Sequence, residues 1–519
     1  MHSQTPLGRG STPPSAALPN LGDGTDLTPT AERRIGNRIA RELYRDPDYV
    51  DDAILQEYVD SIWQPLLAAA RQRGDLPPEL DEPYAWEVLL GRDRSINAFA
   101  LPGAYFGLHL GLVGVVTSRD ELASVLAHEL SHVTQRHIAR SMERQSQQTP
   151  WLIGAMILGV LAASKSNSAD SAQAANAMMV GGQALGAQSQ LNFSRDMERE
   201  ADRMGFAVAV QAGFAPQGFV TMFGKLAQGS RLNDSGNFPY LRSHPLSTER
   251  MADMQSRIEL APHDGADTGS QRNQPELEQA MMAARARVMS QGSVDALRTA
   301  LAQGQEGALA RAAPVQRAGA LYGASMAALK LREFTSAQAL WNQLQAQVRG
   351  DPAAARQVRL LGVELALAQG NTRQAGALLQ GAGSDAAQPS RTELLMAAQV
   401  ATVARSQATS SAGDTDTIRS LERIVQQLQT WVADHPRDAL AWQRLASAYE
   451  VQGRTLRAIR AQAEARAAHL DYPAALARFR AAQEWVRKNA AAVDHFEASI
   501  VDTRARQVES TVREQALER

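Results

Sequence analysis

At 519 residues the chain is too long for one ordinary hydrophobic core, so two or three domains are expected. Its 44% hydrophobic content fits a globular protein, and a formal charge of −2 offers no pull toward nucleic acid or an anionic membrane. The absence of cysteine excludes disulfides, thiol nucleophiles and thiolate metal sites. Any transition-metal site must then be made of histidine and carboxylate, a donor set that suits zinc.

Residues 1–31, rich in Pro, Gly, Ser and Thr, read as a disordered lead-in without the apolar core of a signal peptide. A cytoplasmic location and an export signal removed or missed upstream are both open. Ile35, Ile39 and Leu43 predict a helix, and a second is expected from about Val50 to Ala70. Trp86–Leu90 and Ile96–Leu101 read as short strands, the latter ending at the Pro102-Gly103 turn. Tyr105–Val116, apolar and Gly-rich, fits a strand pair or a buried helix, and His109 within it reads as a core histidine. Ser118 and Glu121 form a capping-box pattern, predicting a helix that runs through His128 to about Arg144.

The longest apolar run, Trp151–Ala163, has 13 residues, short of the roughly 20 of a membrane span, so no transmembrane segment is expected. Residues 164–190 read as a mobile insertion and a candidate lid. A helix begins near Ser194, and residues 262–274 read as a linker. Beyond about Pro275 the chain is Ala-, Leu-, Gln- and Arg-rich and almost wholly helical. Trp442, Leu445, Tyr449, Gly453, Ala458 and Ala465 fall at the spacing of a tetratricopeptide helix pair. Phe334, Ala337 and Trp341 repeat its second half, and Gly370 and Ala375 do so in part. An irregular helical bundle is the alternative.

The chemistry is concentrated in His128-Glu129-Leu130-Ser131-His132. Residues four apart share a helix face at about 6 Å, so both imidazoles can point at one metal. Glu129 can then serve as general base toward a water activated by that metal. A continuation with a third histidine at the zincin spacing fails, because Gln135 and Ile138 stand at its places. His137, nine residues after His128, is expected about 180° round the same helix, away from the metal and structural. Downstream, Glu198 can supply the third ligand, while Asp202 on the same face can accept a hydrogen bond from a ligating imidazole. Glu200, about 160° from Asp202, is the weaker candidate.

H-E-L-S-H followed by S-R-D-M-E-R-E-A-D resembles the HtpX and CAAX-prenyl-protease type of zinc metallopeptidase. Asn97-Ala98-Phe99-Ala100-Leu101-Pro102-Gly103 resembles that family's strand along the substrate cleft, with Ala104 where a second glycine is usual. His244-Pro245-Leu246-Ser247-Thr248-Glu249-Arg250 resembles its H-P-x-x-x-x-R segment. The implied fold is α+β and mainly α: a gluzincin-type zinc peptidase domain over 32–261, then a tetratricopeptide-repeat domain over 275–519. The resemblance further implies one zinc per chain, a periplasmic location, and endopeptidase action on unfolded or misassembled outer-membrane proteins. It also implies work beside the β-barrel assembly machinery and lipopolysaccharide-transport barrels.

The Asn97–Pro102 segment could pair its edge with a substrate chain, or be an internal strand. Arg250 could stabilise an oxyanion or pair with a carboxylate. His244 could enter the metal's fourth position and hold the enzyme idle, or make no metal contact. A helical docking or chaperone protein with a latent peptidase domain, and an exopeptidase, stand as competing readings.

Overall fold

The computed structural model describes residues 27–144, 194–232, 238–260, 276–380, 389–408, 411–489 and 494–517. The apolar run 151–163, the expected insertion 164–190, the linker 262–274 and most of the expected lead-in lie outside them. Among the described residues no helix is long and apolar enough to cross a membrane.

The first helix, α1 (Pro29–Arg45), begins inside the segment expected to be disordered. Proline at its first turn and Thr28, whose hydroxyl accepts from the Ala31 amide, explain that start. Strand β1 (Tyr49–Val50) takes up Val50, so α2 (Ala53–Arg73) opens later than expected, capped by Asp52. A short helix, α3 (Pro78–Asp81), leads into a four-stranded sheet of order β1-β2-β4-β3, with β2 Glu87–Gly91, β3 Ala98–Leu101 and β4 Tyr105–His109.

The apolar stretch from Tyr105 is neither alternative read from sequence but one strand followed by a buried helix, α4 (Leu110–Val115). As a central strand paired on both edges, β4 is buried at every position, which is why its sequence shows no alternation. His109 within it is buried, with Ser95 Oγ 2.8 Å from its Nδ1. Among the described residues strand β3 pairs with β4 alone and so forms a sheet edge.

Helix α5 (Arg119–Thr134) is buried from Asp120 through Val133, lying between α2, the sheet edge and two later helices, α7 (Arg195–Gln211) and α8 (Gln217–Leu232). Ser118 caps it as expected, its Oγ accepting from the Glu121 amide. The reciprocal half of the box is displaced by one residue: the Glu121 carboxylate accepts from the Thr117 amide and pairs with Lys225. The helix does not reach Arg144. It stops at Gln135, Arg136 adopts a left-handed φ of 52°, and a new helix, α6 (His137–Arg144), sets off.

Gly205 on α7 explains how closely α7 meets α5. A Cβ there would sit 3.0 Å from the Ala127 carbonyl and the His128 nitrogen. Two smaller helices, α9 (Pro239–Ser243) and α10 (Thr248–Leu260), complete this part.

The remaining described residues form helix–turn–helix units, including Pro314–Lys330 with Phe334–Gln347, Pro352–Ala368 with Thr372–Gln380, and Ala439–Val451 with Thr455–Ala468. Each of these turns contains one left-handed residue: Arg332, Gly370 and Gly453 respectively. One hydrophobic core runs without a break from α2 and α5 into the helices of residues 277–400. The array also returns to the other side, where Leu470 packs with Ile35, Ile39 and Leu101, and Asp471 pairs with Arg45 at 2.7 Å.

Candidate metal centre

Successive turns of α5 carry His128 and His132 on one face, and their Nε2 atoms stand 3.0 Å apart. Helix α7, seated close by Gly205, brings Glu198 against both: its carboxylate oxygens lie 3.4 Å from each Nε2. His244, at the end of α9, adds its Nδ1, 3.0 Å from Glu198 and 3.3 Å from His128 Nε2. All four side chains are buried, and their ligand atoms lie within 4.8 Å of one another.

Zinc bonds nitrogen and carboxylate oxygen at about 2.0–2.2 Å, so a tetrahedral site has ligand–ligand edges of about 3.3–3.6 Å. The distances here fall at or slightly inside that length. Charge gives a second test. Glu129, Glu198 and Asp202 are buried carboxylates facing one buried guanidinium, Arg250, which leaves a double negative charge for a divalent cation to balance. The residues fit zinc.

The surrounding groups fix the donors. Asp202, one turn beyond Glu198, lies 2.9 Å from His128 Nδ1. Arg250 grips Asp202 with Nε and a terminal nitrogen at 2.6 and 2.8 Å, and its other terminal nitrogen lies 2.8 Å from Glu198. Of the two roles open for Arg250 in sequence, carboxylate pairing is the contact present.

Burial disfavours ionisation of Glu198 and Asp202. His244 and His128 outweigh it at Glu198, and Arg250 and His128 outweigh it at Asp202, so both are held below the usual carboxylate range. Burial likewise opposes charge on His128, but Asp202 and Glu198 raise it to about 10, the same negative surplus that a metal would answer. His132, desolvated, is held well below the ordinary histidine value and so favours the neutral form a ligand needs.

Glu129 faces the opposite way from Asp202, toward the sheet edge. Burial pushes its carboxyl up, partly offset by His244 and His128. Its Oε2 accepts from the Ala100 amide at 3.1 Å, which puts the open edge of β3 beside it. Asn97 accepts from His109 on β4, so alternation along the strand turns the backbone groups of Ala98 and Ala100 outward, and those of Asn97 and Phe99 inward. Ala98 and Phe99 thus lie in the edge strand and Asn97 just before it, and the outward-facing backbone positions are Ala98 and Ala100, whose amide already bonds Glu129.

Two features escaped the sequence reading. Tyr240, buried, stacks on His244 with ring centroids 4.7 Å apart; an aromatic four residues before the H-P segment was the available hint. His137 does not turn away as expected, because the break at Arg136 folds it back under His132, Nδ1 to Nδ1 at 2.9 Å. Glu200, set aside as a ligand, bonds the far side of His137.

H-E-x-x-H and a downstream glutamate, grouped where they could hold a metal ion on helices packed against a small sheet, are the arrangement of a metallopeptidase domain. Residues 55–258 match peptidase family M48, and the chain carries a zinc metallopeptidase domain of that family. It is 33% identical over 246 residues to the β-barrel assembly-enhancing protease of Escherichia coli K12, covering 46% of this chain and 47% of the relative. A Vibrio cholerae protein provisionally given the same name is 38% identical over 254 residues, covering 47% of this chain and 49% of its own. A mitochondrial metalloendopeptidase of Saccharomyces cerevisiae is 27% identical over 208 residues, 39% of this chain and 56% of its own. The chain spans about half the length of the curated relatives it matches.

Proposed function

We propose that the protein is a zinc-dependent endopeptidase that cleaves unfolded or misassembled polypeptides in the periplasm, in the quality control of outer-membrane β-barrels. The observation that carries the catalytic part is the convergence of His128, His132 and Glu198 with Glu129 beside them. Bound there, zinc would supply Lewis acidity toward a peptide carbonyl and toward water. Glu129 acts as general base and then returns the proton to the leaving amine. Asp202 orients His128, and Arg250 holds Asp202 and Glu198 in place.

The open edge of β3 takes a substrate as an added strand, with main-chain bonds at Ala98 and Ala100 that read little sequence. That indifference suits substrates defined by being unfolded. His244 closes the fourth position and keeps the site idle until a substrate displaces it. The helical units beyond residue 275 form a tetratricopeptide-type domain that docks substrates or the barrel assembly machinery. The left-handed turns at Arg332, Gly370 and Gly453 and the buried alanines at 458 and 465 support that reading. The names of the bacterial relatives support the barrel-assembly setting.

The test is Glu129→Gln. It should retain one zinc per chain and lose casein-type proteolysis by at least about 100-fold. Retained cleavage would remove Glu129 from the mechanism. Full rescue of a deletion phenotype by the inactive variant would make docking, not hydrolysis, the principal role.

A further inference from the structure

We propose that His137 and Glu200 are positioning residues for the metal, forming a relay that fixes His132 with Nε2 turned to the ion. The inference rests on the zinc reading above. His137 is buried, its Nδ1 2.9 Å from His132 Nδ1 and its Nε2 3.0 Å from Glu200 Oε2.

Outside the donor group, where no cation would bridge them, two imidazole nitrogens at that separation form a hydrogen bond in which one donates and the other accepts. His132 presents Nε2 to the other donors, so as a neutral ligand it carries its proton on Nδ1 and donates it to His137. The His137 proton then sits on Nε2 and is donated to Glu200, an acceptor-only carboxylate that also pairs with Arg140 at 3.0 Å. Every proton in the chain is thereby assigned.

The device also explains the broken helix. Continued as an α-helix, the chain would carry His137 about 140° round from His132. Arg136 prevents this through its left-handed φ of 52°, and its guanidinium is tied back to Glu32, 2.5 Å away. The two ligand histidines are thus held by different means: His128 by Asp202 directly, His132 by Glu200 through a second imidazole.

The experiment is zinc competition against a chromophoric chelator for wild type, His137→Gln and Glu200→Ala, with circular dichroism to verify folding. ¹⁵N-histidine NMR of the zinc-loaded wild type reads the tautomers. Zinc affinity should fall about 10- to 100-fold in His137→Gln and by less in Glu200→Ala. The NMR should show His132 protonated on Nδ1 and His137 on Nε2. Glu200 is partly exposed, 29% by side chain, so its variant keeps the test open should His137→Gln not fold. Wild-type affinity in Glu200→Ala together with an Nδ1-protonated His137 would overturn the relay. A wild-type protein that binds no zinc at His128 and His132 would instead overturn the underlying site.

Discussion

The metal-centre half of the molecule and the helical half bury different things. Between Asp120 and Arg250 the interior holds Glu129, Glu198, Asp202, Arg250 and four histidines. Between Ala439 and Ala482 it holds mainly alanine, leucine and aromatic rings such as Trp442, Tyr449 and Phe479, with Glu464 and Asp471 paired to arginines at its margin. Buried charge costs several kcal/mol unless it is paired, whereas apolar burial stabilises outright. The metal centre therefore gives up stability to hold a cation and a base, a demand absent from Ala439–Ala482, while elsewhere in the helical half Arg285 is buried between Asp52 and Glu364. Their shared core, which joins α2 and α5 to the helices after residue 277, lets the second half help stabilise the first.

The largest effect should come from breaking the charge balance. Arg250→Met leaves Glu198 and Asp202 uncompensated and should cost about 3–5 kcal/mol, with loss of zinc, by denaturant unfolding and metal analysis. Wild-type zinc content would show that Arg250 is dispensable to the centre. Next, Leu445→Ala in the helical half should cost about 3 kcal/mol while leaving zinc at one per chain. Zinc loss there would mean the two halves are not separable in this way.

His244→Ala should raise casein-type proteolysis severalfold, and unchanged or lower activity would count against the idle-state reading.

The smallest effect concerns Asp60 on α2. Desolvation raises it to about 6 despite the hydrogen bond from Gln56. A raised carboxyl pKa penalises the folded state as pH rises through 6, with no penalty below about 4. Asp60→Asn should thus gain on the order of 1 kcal/mol at pH 8 and nothing near pH 4. Equal gains at both pH values, read as melting shifts, would remove ionisation as the cause.

How much of this was legible in sequence followed from helix geometry. The shared faces of His128 with His132 and of Glu198 with Asp202 were readable because a four-residue spacing fixes a helix face, and the structure gathers His128, His132 and Glu198 into one donor group. The contact of His137 with His132 was missed by the same rule, since spacing assumes an unbroken helix and nothing in Gln135-Arg136 announces a left-handed residue; Glu200 stays outside the donor group, and only its bond to His137 went unread. The strand was legible through its Pro-Gly stop, but its place at the sheet edge and its outward positions were not, because alternation gives two faces without saying which edge is open. Tyr105–Val115 was ambiguous since both the central strand β4 and the buried helix α4 lack a polar face.

The most direct measurement is anomalous diffraction at the zinc edge from crystals of the zinc-loaded protein. One peak is expected per chain, about 2.0–2.2 Å from His128 Nε2, His132 Nε2 and a Glu198 oxygen. Zinc bound elsewhere, or a peak that Glu198 does not touch, would contradict the site from which the proposed activity follows.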